Sequence, residues 1–174
     1  MKKFCISLFL IVIILLTVAC GEEERYENTE YLRIHIRANS NEERDQNIKY
    51  AVRDAVVAYL TPIVANCQSK AEAAEKINSK EKDIKYIADG VLRSGGYEYS
   101  STVTATREEF PTRIYDGVTL ESGYYDALII GLGSAKGDNW WCVVYPPLCF
   151  TACENVRYKS KILEIIDKFK KRGA

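Results

Sequence analysis

Cys67, Cys142, Cys149 and Cys153 lie in the body of the chain, and His35 is its only histidine. Residues of these types support a thiolate nucleophile with an imidazole base, a tetrahedral zinc site, or disulfides. The stretch NWWCVVYPPLCFTAC carries three of the thiols without the C-x-x-C hook of a zinc site. Cys142 stands in an apolar, strand-like run, whereas thiols gain thiolate character at helix N-termini or beside cations. His35 falls on the polar phase of YLRIHIRA, where Leu32, Ile34 and Ile36 alternate with Arg33, His35 and Arg37 as in a half-buried strand. Gly131, Gly133 and Gly137 lead into another strand, so no helix N-terminus is available to hold a phosphate, and they read as turn glycines. Glu42, Glu43, Asp45 and Asp54 share a helix with Arg44 and Arg53, the pattern of a solvated helical face. No enzyme signature emerges, and neither a cofactor nor a metal is implied.

Which cysteine chemistry applies depends on the compartment. Lys2 and Lys3 precede an apolar run from Phe4 to Ala19, a charged n-region followed by an h-region. At roughly sixteen residues it is short for a bilayer span, which needs about 17–25. Residues 1–20 are therefore expected to be an export segment. It ends by cleavage after Ala19, by lipidation of Cys20, or by retention as a membrane anchor. Residues 21–30, GEEERYENTE, read as an acidic tether. Residues 31–174 then form a single domain. Lys2 and Lys3 leave with the first twenty residues, so 22 of the 24 basic residues face 24 acidic ones, a net charge of −2 that disfavours nucleic acid as a partner.

In an exported chain disulfides are the default for such thiols. Pro146-Pro147 cannot continue a central strand, so the chain should bend there and bring Cys142 to Cys149. The state of Cys67 and Cys153 stays open.

The elements that position these residues follow an α+β order. After the first strand the period changes: Ile48, Val52, Val56, Tyr59 and Ile63 recur at helical spacing, Ser40 with Glu43 forms a capping box, and Pro62 ends or kinks the helix. Ser69 to Ile77 and Glu81 to Arg93 are two further helices, stopped by Gly95-Gly96. From Tyr97 the period is two, with Asp116-Gly117 at a hairpin turn and strands at YYDALIIGL and NWWCVVY. Asn155 to Lys170 is helical again, and Lys168, Lys170, Lys171 and Arg172 in its last turns suit the helix dipole. The expected architecture is a largely antiparallel β-meander sheet covered by helices.

Two blocks of the chain resemble the stage II sporulation protein R family. In LRIHIRANSNEERDQNIKYAVRDAV the match includes His35, Ala38, Asn39, Ser40, Asp45, Gln46, Lys49 and Arg53. In the second it runs from Phe110-Pro111-Thr112-Arg113 through Asn139-Trp140-Trp141-Cys142 to Pro146-Pro147-Leu148-Cys149-Phe150. Glu121, Ser122, Ile129 and Ala135 depart from the family pattern. The resemblance implies a non-enzymatic messenger of endospore formers, made in the forespore and exported to the space between the forespore and mother-cell membranes. There it would trigger a membrane-embedded aspartic protease that processes the precursor of the mother-cell sigma factor E. Asn139, Trp140 and Trp141 are the expected receptor contacts, with His35, Asn39, Arg53 and Arg113 as further candidates. Neighbours on a strand point to opposite faces, so one tryptophan should pack under the helices and the other face outwards. The alternatives are an extracytoplasmic hydrolase using a cysteine with His35, and a lipoprotein that binds a wall component.

Overall fold

The computed structural model of the protein describes residues 27–115, 117–150 and 156–172. The expected export segment, Cys20 and Cys153 lie outside the described residues. Strand β1 (Glu27–Arg37) is followed by helices α1 (Glu43–Val64), α2 (Lys70–Asn78) and α3 (Glu81–Ser94). Strands β2 (Ser101–Phe110), β3 (Arg113–Tyr115), β4 (Val118–Leu120), β5 (Gly123–Leu132) and β6 (Asn139–Tyr145) come next, then a 3-10 turn (Leu148–Phe150) and helix α4 (Val156–Arg172).

The class is α+β, and the order of the main sheet, β2-β5-β1-β6, shows how the expected meander is interrupted. β5 and β6 are consecutive in the chain, yet β1 lies between them, parallel to β5 and antiparallel to β6. β2 pairs with β5 antiparallel over its whole length, and β3 and β4 form a separate hairpin. The reason is the composition of β1: Leu32, Ile34 and Ile36 need the helices on one face, and a strand buried by neighbours on both sides shields them best.

Register fixes the faces. Ile34 stands beside Leu128 and Cys142, Ile36 beside Ile130 and Trp140, and this set looks towards the helices. There it meets Val52, Val56 and Leu60 of α1, Ile77 of α2, and Ile84 and Leu92 of α3 in one core. Ile162 and Ile166 of α4 join that core, and Phe169 stacks against Tyr31 and Tyr145.

Helix α3 also guards the edge of the sheet. Asp89 accepts from the backbone N–H of Ser101 at 2.6 Å, and Glu81 from that of Ala105 at 2.6 Å. On the opposite edge, Cys149 Sγ accepts from Val143 N–H at 3.1 Å. Strand addition, the usual liability of such edges, is thus blocked at these positions.

Several local expectations change. Ser40 makes no capping box: its hydroxyl accepts from Glu42 N–H at 3.2 Å and donates to Asp45 at 2.7 Å, and α1 begins at Glu43. Pro62 does not end α1 either, because only two helical residues remain after it and the single lost backbone bond is tolerated in the last turn.

Asp45 is the main correction to the solvated-face reading, being only 5% exposed. Asn39 and Ser40 donate to one carboxylate oxygen at 2.7 Å each, and Tyr99 donates to the other at 2.7 Å. Burial works to raise its pKa, but these three bonds, with help from Arg44, outweigh it and hold the group below the usual carboxylate value. The buried Lys49 ties the same corner together, donating to Gln46 Oε1 at 2.6 Å and to the Asp138 carbonyl at 3.1 Å. Asn39 accepts from Ser134 N–H at 2.9 Å, so the loop after β1 and the loop after β5 are stitched into one unit.

Glycine is required where these loops touch. A Cβ on Gly137 would run into the Ser40 backbone carbonyl. Gly137→Ala should therefore destabilise the fold by about 2 kcal/mol or more. Gly90, inside α3, has only the far end of Arg93 within reach, at 3.9 Å. Gly90→Ala should stabilise by about 0.5–1 kcal/mol through helix propensity. Urea denaturation of the two variants against the parent checks both signs. Asp45→Ala, which orphans three half-buried donors, should cost about 2 kcal/mol in the same measurement.

Candidate functional site

The face of the sheet turned away from the helices carries the chemistry. Odd-numbered residues of β1, β5 and β6 meet even-numbered ones of β2 there: Arg33, His35 and Arg37, Tyr125, Asn139 and Trp141, Glu108 and Phe110. Thr102, Thr104 and Thr106 continue the same face of β2 and are exposed. The short β3–β4 hairpin folds back over one end of it.

His35 sits at the centre of the cluster. Its ring lies 5.3 Å from that of Trp141 and 5.8 Å from that of Phe110, and its Nδ1 is 2.8 Å from Glu108 Oε2. Glu108 also accepts from Arg37. Arg113, from β3, stacks its guanidinium 4.5 Å above the Trp141 ring, a cation–π contact on the outer surface. Deeper, Arg33 is fully buried, with its guanidinium 4.2 Å from the Phe110 ring centre and 4.8 Å from that of Tyr125. It donates to Tyr115 Oη at 2.8 Å. The reading of β1 as half-buried therefore fails on this side: aromatic rings and the hairpin cover the polar phase as well.

Of the residues singled out in the sequence, His35, Arg113, Asn139 and Trp141 come together here. Trp140 points the other way, towards α1, where Arg53 lies 5.6 Å over its ring and 4.9 Å over that of Tyr50. Asn39 belongs to the loop stitching around Asp45. The two tryptophans thus divide between the faces as expected, although both are half-buried. Cys142 and Cys149 form a disulfide with Cα atoms 6.2 Å apart, as the Pro146-Pro147 bend suggested. Cys142 lies on the helix side of β6 and His35 on the opposite side of β1, so the strands themselves keep this thiol away from the imidazole. Cys67 is buried at the end of α1. No cluster of three or more His, Cys, Asp or Glu side chains able to hold a metal exists among the described residues.

Sequence reasoning missed Glu108, Tyr115 and Tyr125. Their signal was present in the strand register: Glu108 is an acid placed among the β-branched residues of β2, and Tyr115 and Tyr125 lie on the phase that faces Arg33.

Burial pushes the His35 pKa down to about 4, and the charges of Arg37 and Arg33 push the same way while Asn139 opposes them. Glu108 would favour the imidazolium, but its charge is already engaged by Arg37. The ring is therefore neutral at pH 7, with Nδ1–H donating to Glu108. An unfolded chain takes up the imidazole proton near 6.5 and the folded one only near 4, so stability is full above 6.5 and falls as pH drops through this window. The loss amounts to up to about 3 kcal/mol. His35→Gln should flatten this acid limb by up to one proton in urea titrations between neutral pH and the low end of that window. An unchanged slope would contradict the assignment.

Comparison with known proteins agrees with this picture of matched residues. The family model described as stage II sporulation protein R matches residues 28–155. A curated protein with that name from Bacillus subtilis (strain 168) is 37% identical over 166 residues, covering 89% of this chain and 74% of that protein. No solved structure matches. The chain belongs to the stage II sporulation protein R family.

Proposed function

We propose that the protein is an exported sporulation signal, and that its helix-free sheet face contacts and activates the membrane-embedded aspartic protease that processes the precursor of the mother-cell sigma factor E. One observation carries this beyond sporulation in general. His35, Arg113, Asn139 and Trp141, from three strands and from both blocks of the resemblance, converge on the sheet face that none of the described helices covers. Blocked edges at Ser101, Ala105 and Val143 favour recognition through this face over strand addition. An aromatic–arginine pair at a partly exposed centre, ringed by threonines and a charged pair, is the composition of an interface anchor. Such a ligand activates its receptor by binding the active state more tightly than the resting one, which requires no chemistry of its own.

The hydrolase reading finds less support, since Cys142 is bonded to Cys149 and turned away from His35. Export is part of the proposal, resting on the character of residues 1–20 and on the disulfide.

Trp141→Ala and Arg113→Ala should leave the domain folded and exported while weakening receptor engagement by about 2 kcal/mol at Trp141, roughly thirtyfold in affinity. Trp140→Ala should instead lower the melting temperature, because Trp140 packs against α1. The assay is maturation of the sigma-factor precursor in sporulating cells, read beside secreted yield. Normal maturation in a strain deleted for the gene would refute the proposed function. Full activity of a folded Trp141→Ala, Arg113→Ala double variant would refute the face.

A further inference from the structure

Among the described residues, Arg33 is a cation with no counter-ion. It is fully buried, and Nη2 reaches only the neutral hydroxyl of Tyr115. Nε and Nη1 have no hydrogen-bond partner. No carboxylate among the described residues forms an ion pair with it. Buried guanidinium groups normally hold a carboxylate, often through two parallel hydrogen bonds, because an unpaired buried charge is costly. The rings of Phe110 and Tyr125 form the walls of this socket and Tyr115 roofs it.

The roof is the part of the fold least able to stand alone. Strands β3 and β4 have three residues each and pair only with one another. A two-stranded hairpin of this size is marginal without support. Its base is pinned: Thr112 Oγ1 accepts from Ser122 N–H at 2.9 Å, and Leu120 is buried. Its outer part is held to the sheet by the Tyr115 hydroxyl, by Arg113 on Trp141 and by the half-buried rims of Tyr115 and Val118, while Ile114 is 70% exposed. Arg37 and Arg113 belong to the same face as Arg33; of the nearby acids, Glu108 is engaged by Arg37, and Glu121 accepts from Thr112 at the base of the hairpin.

We infer that the β3–β4 hairpin is a displaceable cover over an anion socket, and that an Asp or Glu side chain of a partner peptide pairs with Arg33 when the hairpin pivots on its base. This rests on the reading of the helix-free face as the partner-binding face, and it names what that face recognises. Flat aromatic walls on either side of a guanidinium suit a planar carboxylate. A lipid surface cannot reach a group buried beneath a hairpin. The Tyr115 hydroxyl is the placeholder that the carboxylate replaces.

The test needs no receptor, so its failure would leave the activation proposal standing, and the maturation assay could fail without affecting it. The purified protein is titrated with a capped triglutamate peptide, and with triglutamine as control, while the Arg33 Nε–H resonance is followed by NMR. Triglutamate should shift this resonance saturably and triglutamine should not. Tyr115→Phe keeps the ring but frees the latch and leaves Nη2 unsatisfied, so it should tighten binding on the order of fivefold. Arg33→Met should abolish binding; if it does not fold, Tyr115→Phe carries the test alone. The inference is overturned if triglutamate leaves the Arg33 resonance unmoved in both parent and Tyr115→Phe. It is equally overturned if Tyr115→Phe binds no more tightly, or if phosphatidylglycerol vesicles shift the resonance and the peptide does not.

Discussion

Strand β1 is buried on both faces, but only one of those faces is apolar. Leu32, Ile34 and Ile36 pack under the helices as any central strand would, while Arg33 and His35 are buried among rings on the other side. Polar groups at such depth must be satisfied by their surroundings. The placement of Phe110, Tyr125, Trp141, Glu108 and the β3–β4 hairpin answers that demand. Remove the two polar residues from β1 and the hairpin has nothing to cover, β6 has no ring to stack, and β2 needs no carboxylate at its end. The same residues that make the face expensive to build also give it its chemical character.

The other end of the sheet solves a different problem in a similar way. Two loops far apart in sequence must meet so that β1 can turn into α1 while β5 turns into β6. Asp45, Lys49 and Asn39 hold them with hydrogen bonds where apolar packing would have no room. Much of the strongly matched first block thus serves architecture, and its residues differ in role although they are adjacent in sequence. His35 belongs to the outer face, Asn39 and Asp45 to the corner, and Arg53 to the flank of α1.

What could be read from the sequence follows from the range of the interactions involved. Helices α2 and α3 lay within a residue or so of their expected bounds because capping at Ser69 and the double glycine after Ser94 are local signals. The β3–β4 pairing and the Cys142–Cys149 bond were legible for the same reason. The insertion of β1 between β5 and β6 was not, since alternation says which face a residue takes and nothing about which strand lies beside it. Asp45 was misread because a carboxylate on a helix looks solvated until the loop that buries it, and Tyr99 some fifty positions later, are in place. Of the seven residues singled out as receptor contacts, Trp141, Asn139, His35 and Arg113 share one face while Trp140, Asn39 and Arg53 lie elsewhere, because the grouping depends on strand register.

The central position of β1 also sets an order of events. Ile34 pairs with Leu128 and Cys142, 94 and 108 positions further along the chain. The chain is made N-terminus first, so the first strand to appear is one whose neighbours appear last. Its apolar edge has to wait, unpaired, until β5 and β6 have been made, and pairings of such long range close slowly. No partial chain that stops short of β6 can complete the sheet, so folding is deferred to the end of synthesis.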